Sequence, residues 1–186
     1  MTYDARAAAN FMLELAVSKR LALTPMAIQK ILYYAHGWYL AQTGHPLLKQ
    51  EFEAWDFGPV LGSVYTAFKK FGRDPVSQPA TWFDPLTESV HPWTAEFNEG
   101  AAKLLRTIVM AYGHIDAYEL SRMTHRPGGP WDQVWNKPDN KISLGMRISN
   151  EAIRRDFLHQ NSDDFLKDCF SSTNTLARLG YNPSIC

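Results

Sequence analysis

Hydrophobic positions recur at helical spacing through much of this chain, most densely between Met26 and Gly72. Advancing about 100° per residue from Ile28 puts Ile31, Leu32, Ala35, Trp38 and Tyr39 on one face. Met26, Tyr33, Gly37 and Leu40 fall on nearly the opposite face, which leaves a narrow strip of Lys30, Tyr34 and Ala41 for water. A helix apolar on two sides is usually covered on two sides, so residues 25–43 are expected to form a central buried helix with others around it. Thr24 supplies its N-cap, Pro25 its first position and Gly44 its left-handed stop.

The same spacing predicts a first helix over 3–19, with Ala8, Phe11, Met12 and Leu15 inward and Arg6, Asn10, Glu14 and Ser18 outward. Phe52 to Trp55 reads as a short extended piece. Gly58-Pro59 is expected to open a third helix, capped by Asp56 and carrying the stripe Val60, Val64, Ala67, Phe68 and Phe71. Residues 73–93 hold four prolines and no periodicity, and read as a long irregular connection. A fourth helix is expected over 94–112. A fifth starts at Asp116, where Glu119 three residues on makes a capping box. Pro130 opens a short turn with Trp131 and Trp135. Lys141 to Ile148 reads as extended, Ser149 caps a helix through Ile153 and Phe157, and Ser162 to Asp164 caps one more before a polar tail. The fold class is therefore mainly α: a single compact domain of six or seven helices around a central buried one, with at most short extended segments.

Composition supports a packed domain and excludes several classes. The chain has 186 residues, 45% hydrophobic and 13% aromatic, with 19 basic residues against 19 acidic. That balance provides no global field for nucleic acid, and no helix-turn-helix pattern or basic stripe is present. No signal-like start and no run of about 18 apolar residues occurs, so a cytoplasmic location without membrane contact is expected. Cys169 and Cys186 form neither a CxxC pair nor a disulfide framework.

Candidate chemistry is sparse. The six histidines at 36, 45, 91, 114, 125 and 159 contain no HxxxH or HExxH pair, so no metal site is expected. No nucleophile elbow, P-loop or dinucleotide fingerprint is present, and no cofactor follows from the sequence. An enzyme would have to use His125, at a helix end beside Gly128-Gly129, as an acid or base near Asp132 or Glu119. The plainer reading has His125 bonded to backbone, fixing the turn into Pro130-Trp131. Trp38, Tyr39 and Phe68 sit at core positions, whereas Trp82, Trp93, Trp131 and Trp135 lie in irregular stretches as core plugs or partner contacts.

One set of residues goes further. Met26-x-x-Gln29-Lys30-Ile31-Leu32-Tyr33-Tyr34-Ala35-x-Gly37-Trp38 is followed by Gly44-x-Pro46-Leu47. Glu53-Ala54-Trp55-x-x-Gly58-Pro59-Val60 and Val64-Tyr65-x-x-Phe68 come next, and Leu120-Ser121-x-x-Thr124-His125-x-x-x-x-Pro130-Trp131 after them. This series resembles the Panacea domain, the family of SocA-like antitoxins and their phage-associated relatives. The resemblance covers roughly residues 5–160, so residues 1–160 are expected to form one helical domain and 161–186 a C-terminal short helix and tail.

It implies a binding protein without catalytic, metal-binding or cofactor-binding residues. Its expected partner is a toxin encoded by a neighbouring gene, held directly or presented to a Clp-type protease. The alternative is a phage-derived effector that binds a host protein. Trp55, Asp56, Tyr65, Trp82, His125 and Trp131 are the candidate partner-binding residues.

Overall fold

The computed structural model describes residues 1–136 and 146–160. Helix α2 (Pro25–Thr43) is in contact with α1 (Ala5–Ser18), α3 (Gly62–Phe68), α4 (Glu99–Tyr112), α5 (Ala117–Thr124) and α7 (Asn150–Gln160). Every α2 residue from Ala27 to Leu40 is buried. Its ends follow local chemistry: Thr24 Oγ1 accepts the Ala27 N–H, and Gly44 adopts φ 73°. Helix α6 (Pro130–Trp135) completes seven α-helices among the described residues.

The strip assigned to water is largely covered. Lys30 and Tyr34 are buried, because the strand Gly58–Val60, with α5 and α7, packs over that side of α2. Helical periodicity identifies apolar residues, but a long lysine stem is apolar too and can enter a core when its amine finds an acceptor. Asn10 on α1, also expected outward, is buried for a similar reason. Its amide donates to the carbonyls of Ala80 and Trp93, both at 2.9 Å, and its Oδ1 accepts the Ala80 N–H at 2.7 Å.

The α2–α7 contact is close. A Cβ on Gly37 would stand 2.4 Å from the Phe157 ring, so the absent side chain lets that ring lie against the α2 backbone. Phe157 packs edge-on to Tyr33, Tyr34 and Trp38. Beside them His36 joins both elements, with Nε2 2.8 Å from Asn150 Oδ1 and Nδ1 accepting the Leu48 N–H at 3.3 Å. Burial outweighs the Asn150 bond and pushes the imidazole down to about 4.

The third helix does not begin at Gly58-Pro59. Phe52–Trp55 (β1) pairs antiparallel with Gly58–Val60 (β2), in the register Glu53 to Val60 and Trp55 to Gly58. Arg147–Ile148 (β5) pairs on the other side of β1. Pro59 is tolerated because β2 is an edge strand, where a missing N–H breaks no ladder. Helix α3 starts at Gly62, and Asp56 sits in the β1–β2 turn rather than at its cap.

The stretch 73–93 is also not wholly irregular, since Thr81–Asp84 (β3) and Ser89–Pro92 (β4) form a two-stranded hairpin. Trp82, Phe83, Leu86 and Val90 are all exposed on it. Neither face is buried, so no apolar–polar alternation reveals the strands. Helix α4 begins at Glu99, capped by Asn98, later than expected. Ser149 Oγ accepts the Ala152 N–H at the start of α7. The expected extended residues 141–145 and the helix and tail expected over 161–186 lie outside the described residues.

Candidate functional site

The β1–β2 turn is held by side chains from three helices, each bonded to a different backbone carbonyl. Trp131 Nε1 of α6 donates to Trp55 O at 2.9 Å, and Ser121 Oγ of α5 donates to Phe57 O at 2.8 Å. His125, the C-cap of α5, places Nε2 3.2 Å from Asp56 O. From α2, Lys30 Nζ donates to Pro59 O at 2.9 Å. Gln29 brackets the strand end, accepting the Leu61 N–H at 2.8 Å and donating to Leu61 O at 3.2 Å.

Gly58 is required twice at the centre of this clamp. Its φ of +95° lies where side chains are rarely accommodated, and an added Cβ would stand 2.3 Å from Thr124 Oγ1 and 3.0 Å from Lys30 Nζ. Burial lowers the Lys30 amine from its ordinary 10.5 to about 7.

The clamp leaves an aromatic turn facing solvent. Phe57 is 60% and Tyr65 43% exposed. Half-buried Trp55 packs edge-on to Tyr65 at 4.9 Å and donates through Nε1 to Glu53 Oε2 at 3.0 Å. Trp131 is buried, with its ring 3.9 Å from His125 and stacked on Trp135. Of the candidate residues, Trp55, Asp56, Tyr65, His125 and Trp131 are therefore brought together. Trp82 belongs instead to the β3–β4 hairpin, against His91 and Trp93.

Sequence reasoning did not single out Gln29, Lys30, Phe57, Ser121 or Thr124 as site residues, although four of them lie in the quoted motifs. Polar residues on otherwise apolar helix faces were the available signal.

Among the described residues His125 is hydrogen-bonded to no carboxylate. Its Nδ1 lies 2.6 Å from Ser121 O, so both ring nitrogens face backbone carbonyls. Glu119 is held by Arg122, and Asp132 by the Gly128 N–H and Asn136, and those bonds keep both carboxyls low. Among the described residues no cluster of three or more His, Cys, Asp or Glu could hold a metal ion.

A cleft of about 880 Å³ adjoins the clamp, bordered by Thr124 and His125. Tyr33, Tyr34 and Phe157 line it, with Met123, Arg122, Arg126 and Asp156. Burial is the main cause raising both tyrosine hydroxyls above their ordinary value, with the nearby Asp156 charge adding to it. Arg126 forms an ion pair with Asp156 beside them.

The clamp thus fixes an aromatic turn on the surface of a mainly helical domain. The model of the family "Antitoxin SocA-like, Panacea domain" matches residues 28–132. Antitoxin SocA of Caulobacter vibrioides (strain NA1000 / CB15N) is 36% identical over 162 residues, covering 84% of each chain. The chain belongs to the SocA-like, Panacea-domain antitoxin family. No solved structure matches it. No helix among the described residues is long and apolar enough to cross a membrane.

Proposed function

We propose that this chain is a cytoplasmic antitoxin that neutralises the toxin encoded beside it by binding it directly through the β1–β2 turn and the neighbouring α3 face. The carrying observation is how the motif residues are used. Gln29, Lys30, Ser121, His125 and Trp131 each place a side-chain polar atom on the backbone of residues 55–61. Residues arranged this way fix a surface. The surface they fix presents Phe57, Tyr65, Trp55 and Asp56, and clustered aromatics on a rigid support are typical of binding hot spots.

The test is to express the adjacent gene alone and together with this chain, then purify the pair. A toxic neighbour that becomes harmless and co-elutes with this chain supports the reading. A harmless neighbour, or toxicity that persists despite soluble co-expression, overturns it and favours a phage-derived effector with a host target. Direct holding is preferred to delivery to a Clp-type protease, because an aromatic face needs no third component. Neutralisation that disappears when the protease is deleted would reverse that preference.

A further inference from the structure

The cleft beside the clamp lies where α7 ends. Its lining includes His159 and Gln160, the last two residues of that helix, together with Trp38, Ile115, Met123 and Phe157. Apart from the two at the helix end these are apolar groups, and Met123 is 38% exposed. Water against an apolar wall is unfavourable, so the cleft gains free energy from an apolar cover. A flexible methionine on that wall adapts to whatever lies against it.

The residues after Gln160 have the matching pattern. Ser162, Asp163 and Asp164 are turn and cap formers, and Phe165, Leu166, Cys169 and Phe170 follow at i, i+1, i+4 and i+5. At about 100° per residue those four share one helical face about 140° wide, and Lys167 and Asp168 fall outside it. A stretch this short does not hold a helix alone in water and depends on an apolar surface to pack against. Residues 161–164 alone separate it from the cleft wall, and four residues reach at most about 14 Å. So short a tether keeps the stretch at an effective concentration in roughly the millimolar range, ahead of a free partner at cellular levels.

We infer that residues 161–170 fold back at the end of α7 and dock in this cleft of the same chain, with Phe165, Leu166 and Phe170 against Trp38, Ile115 and Met123. The docking needs no partner protein and stands apart from the antitoxin reading. His125 borders the cleft and also lies 3.2 Å from Asp56 O, so the docked segment buttresses the clamp from behind.

Hydrogen exchange on the free, full chain tests this from both sides. In the wild type the amides of 165–170 should be protected. The double change Phe165→Asp and Leu166→Asp should speed exchange at the end of α5 about tenfold, as losing roughly one buried apolar side chain would. Met123→Glu, a change at a partly exposed position on the cleft wall, should in return deprotect 165–170. Leu176→Asp, outside the segment, should change neither region. All of these rates should be independent of protein concentration.

Three results overturn the inference: amides at 165–170 that exchange freely in the wild type, protection there that ignores Met123→Glu, or an end of α5 that ignores the double change. Protection that disappears on dilution also overturns it and shows that a second copy fills the cleft. Protection of the cleft that arises only when the neighbouring gene product is added overturns it in favour of a partner segment. None of these outcomes bears on whether the chain neutralises that product.

Discussion

The Nζ of Lys30 donates to the carbonyl oxygen of Pro59 at 2.9 Å, in a place where the lysine is 1% exposed. One polar bond thus ties the buried helix α2 to an edge strand whose proline has no N–H of its own to offer. The arrangement is costly to the charged amine, which is why its pKa falls to about 7.

This pairing has a pH signature. Between about 7 and 10.5 the unfolded chain keeps a proton that the folded Lys30 has released, so stability rises with pH through that window and falls as pH drops through it. Lys30→Met should flatten the rise. It should also be more stable than wild type at pH 7, since the desolvated amine costs more than the roughly 1–3 kcal/mol of an unpaired Pro59 carbonyl. Denaturant titrations at several pH values measure both effects, and an unchanged slope in the variant would count against the buried ammonium.

His36 governs a lower window. It is neutral in the fold, with a pKa near 4 against an ordinary 6.5. The unfolded chain therefore binds the extra proton between those values, and stability is lost as pH falls from 6.5 towards 4. His36→Gln should be less stable at neutral pH, through the lost Asn150 and Leu48 contacts, yet lose less on acidification. Thermal melts from pH 7 to 4 would reveal a shallower slope than wild type.

Gly37→Ala should destabilise the protein by about 1–3 kcal/mol, the usual range for overpacking. The new methyl would meet the Phe157 ring at 2.4 Å, and the α2–α7 contact must open to admit it. Combining it with Phe157→Leu should cost less than the sum of the single changes, because the shortened side chain removes the obstacle. A strictly additive double mutant would show that the strain lies elsewhere.

The clamp and the displayed face should separate under mutation. Trp131→Phe removes the bond to Trp55 O and should cost about 1 kcal/mol of stability. Phe57→Ala changes an exposed residue and should leave stability within about 0.5 kcal/mol while weakening the proposed complex with the toxin. Unfolding curves and partner titrations on the same two variants distinguish support from contact.

Helix α2 was legible to within a residue because Thr24, Pro25 and Gly44 act through the backbone next to them. Helix α5 was legible for the same reason, through Asp116. Strand β2 was misread because Gly58-Pro59 is equally good chemistry for a helix start and for a hairpin leaving a tight turn. Only pairing with β1 decides between them. Within the candidate site, the motifs located Trp55, Tyr65, His125 and Trp131, but not why they belong together. Ser121 and Trp131 lie 64 and 76 residues from the carbonyls they hold, a relation with no local trace.

The sequence by itself determined where most helices form and which residues are apolar enough to be buried, since caps, prolines and a 3.6-residue period act over a few neighbouring positions. Family membership was also legible there, through the order of its motifs. Tertiary structure decided the polar interior: Lys30, Asn10 and His36 are buried because distant carbonyls and amides meet them, and nothing in their own neighbourhoods records that meeting. It likewise decided that Phe57 faces outward. Such outcomes depend on which surfaces close over which side chains, and that is settled only when the helices pack.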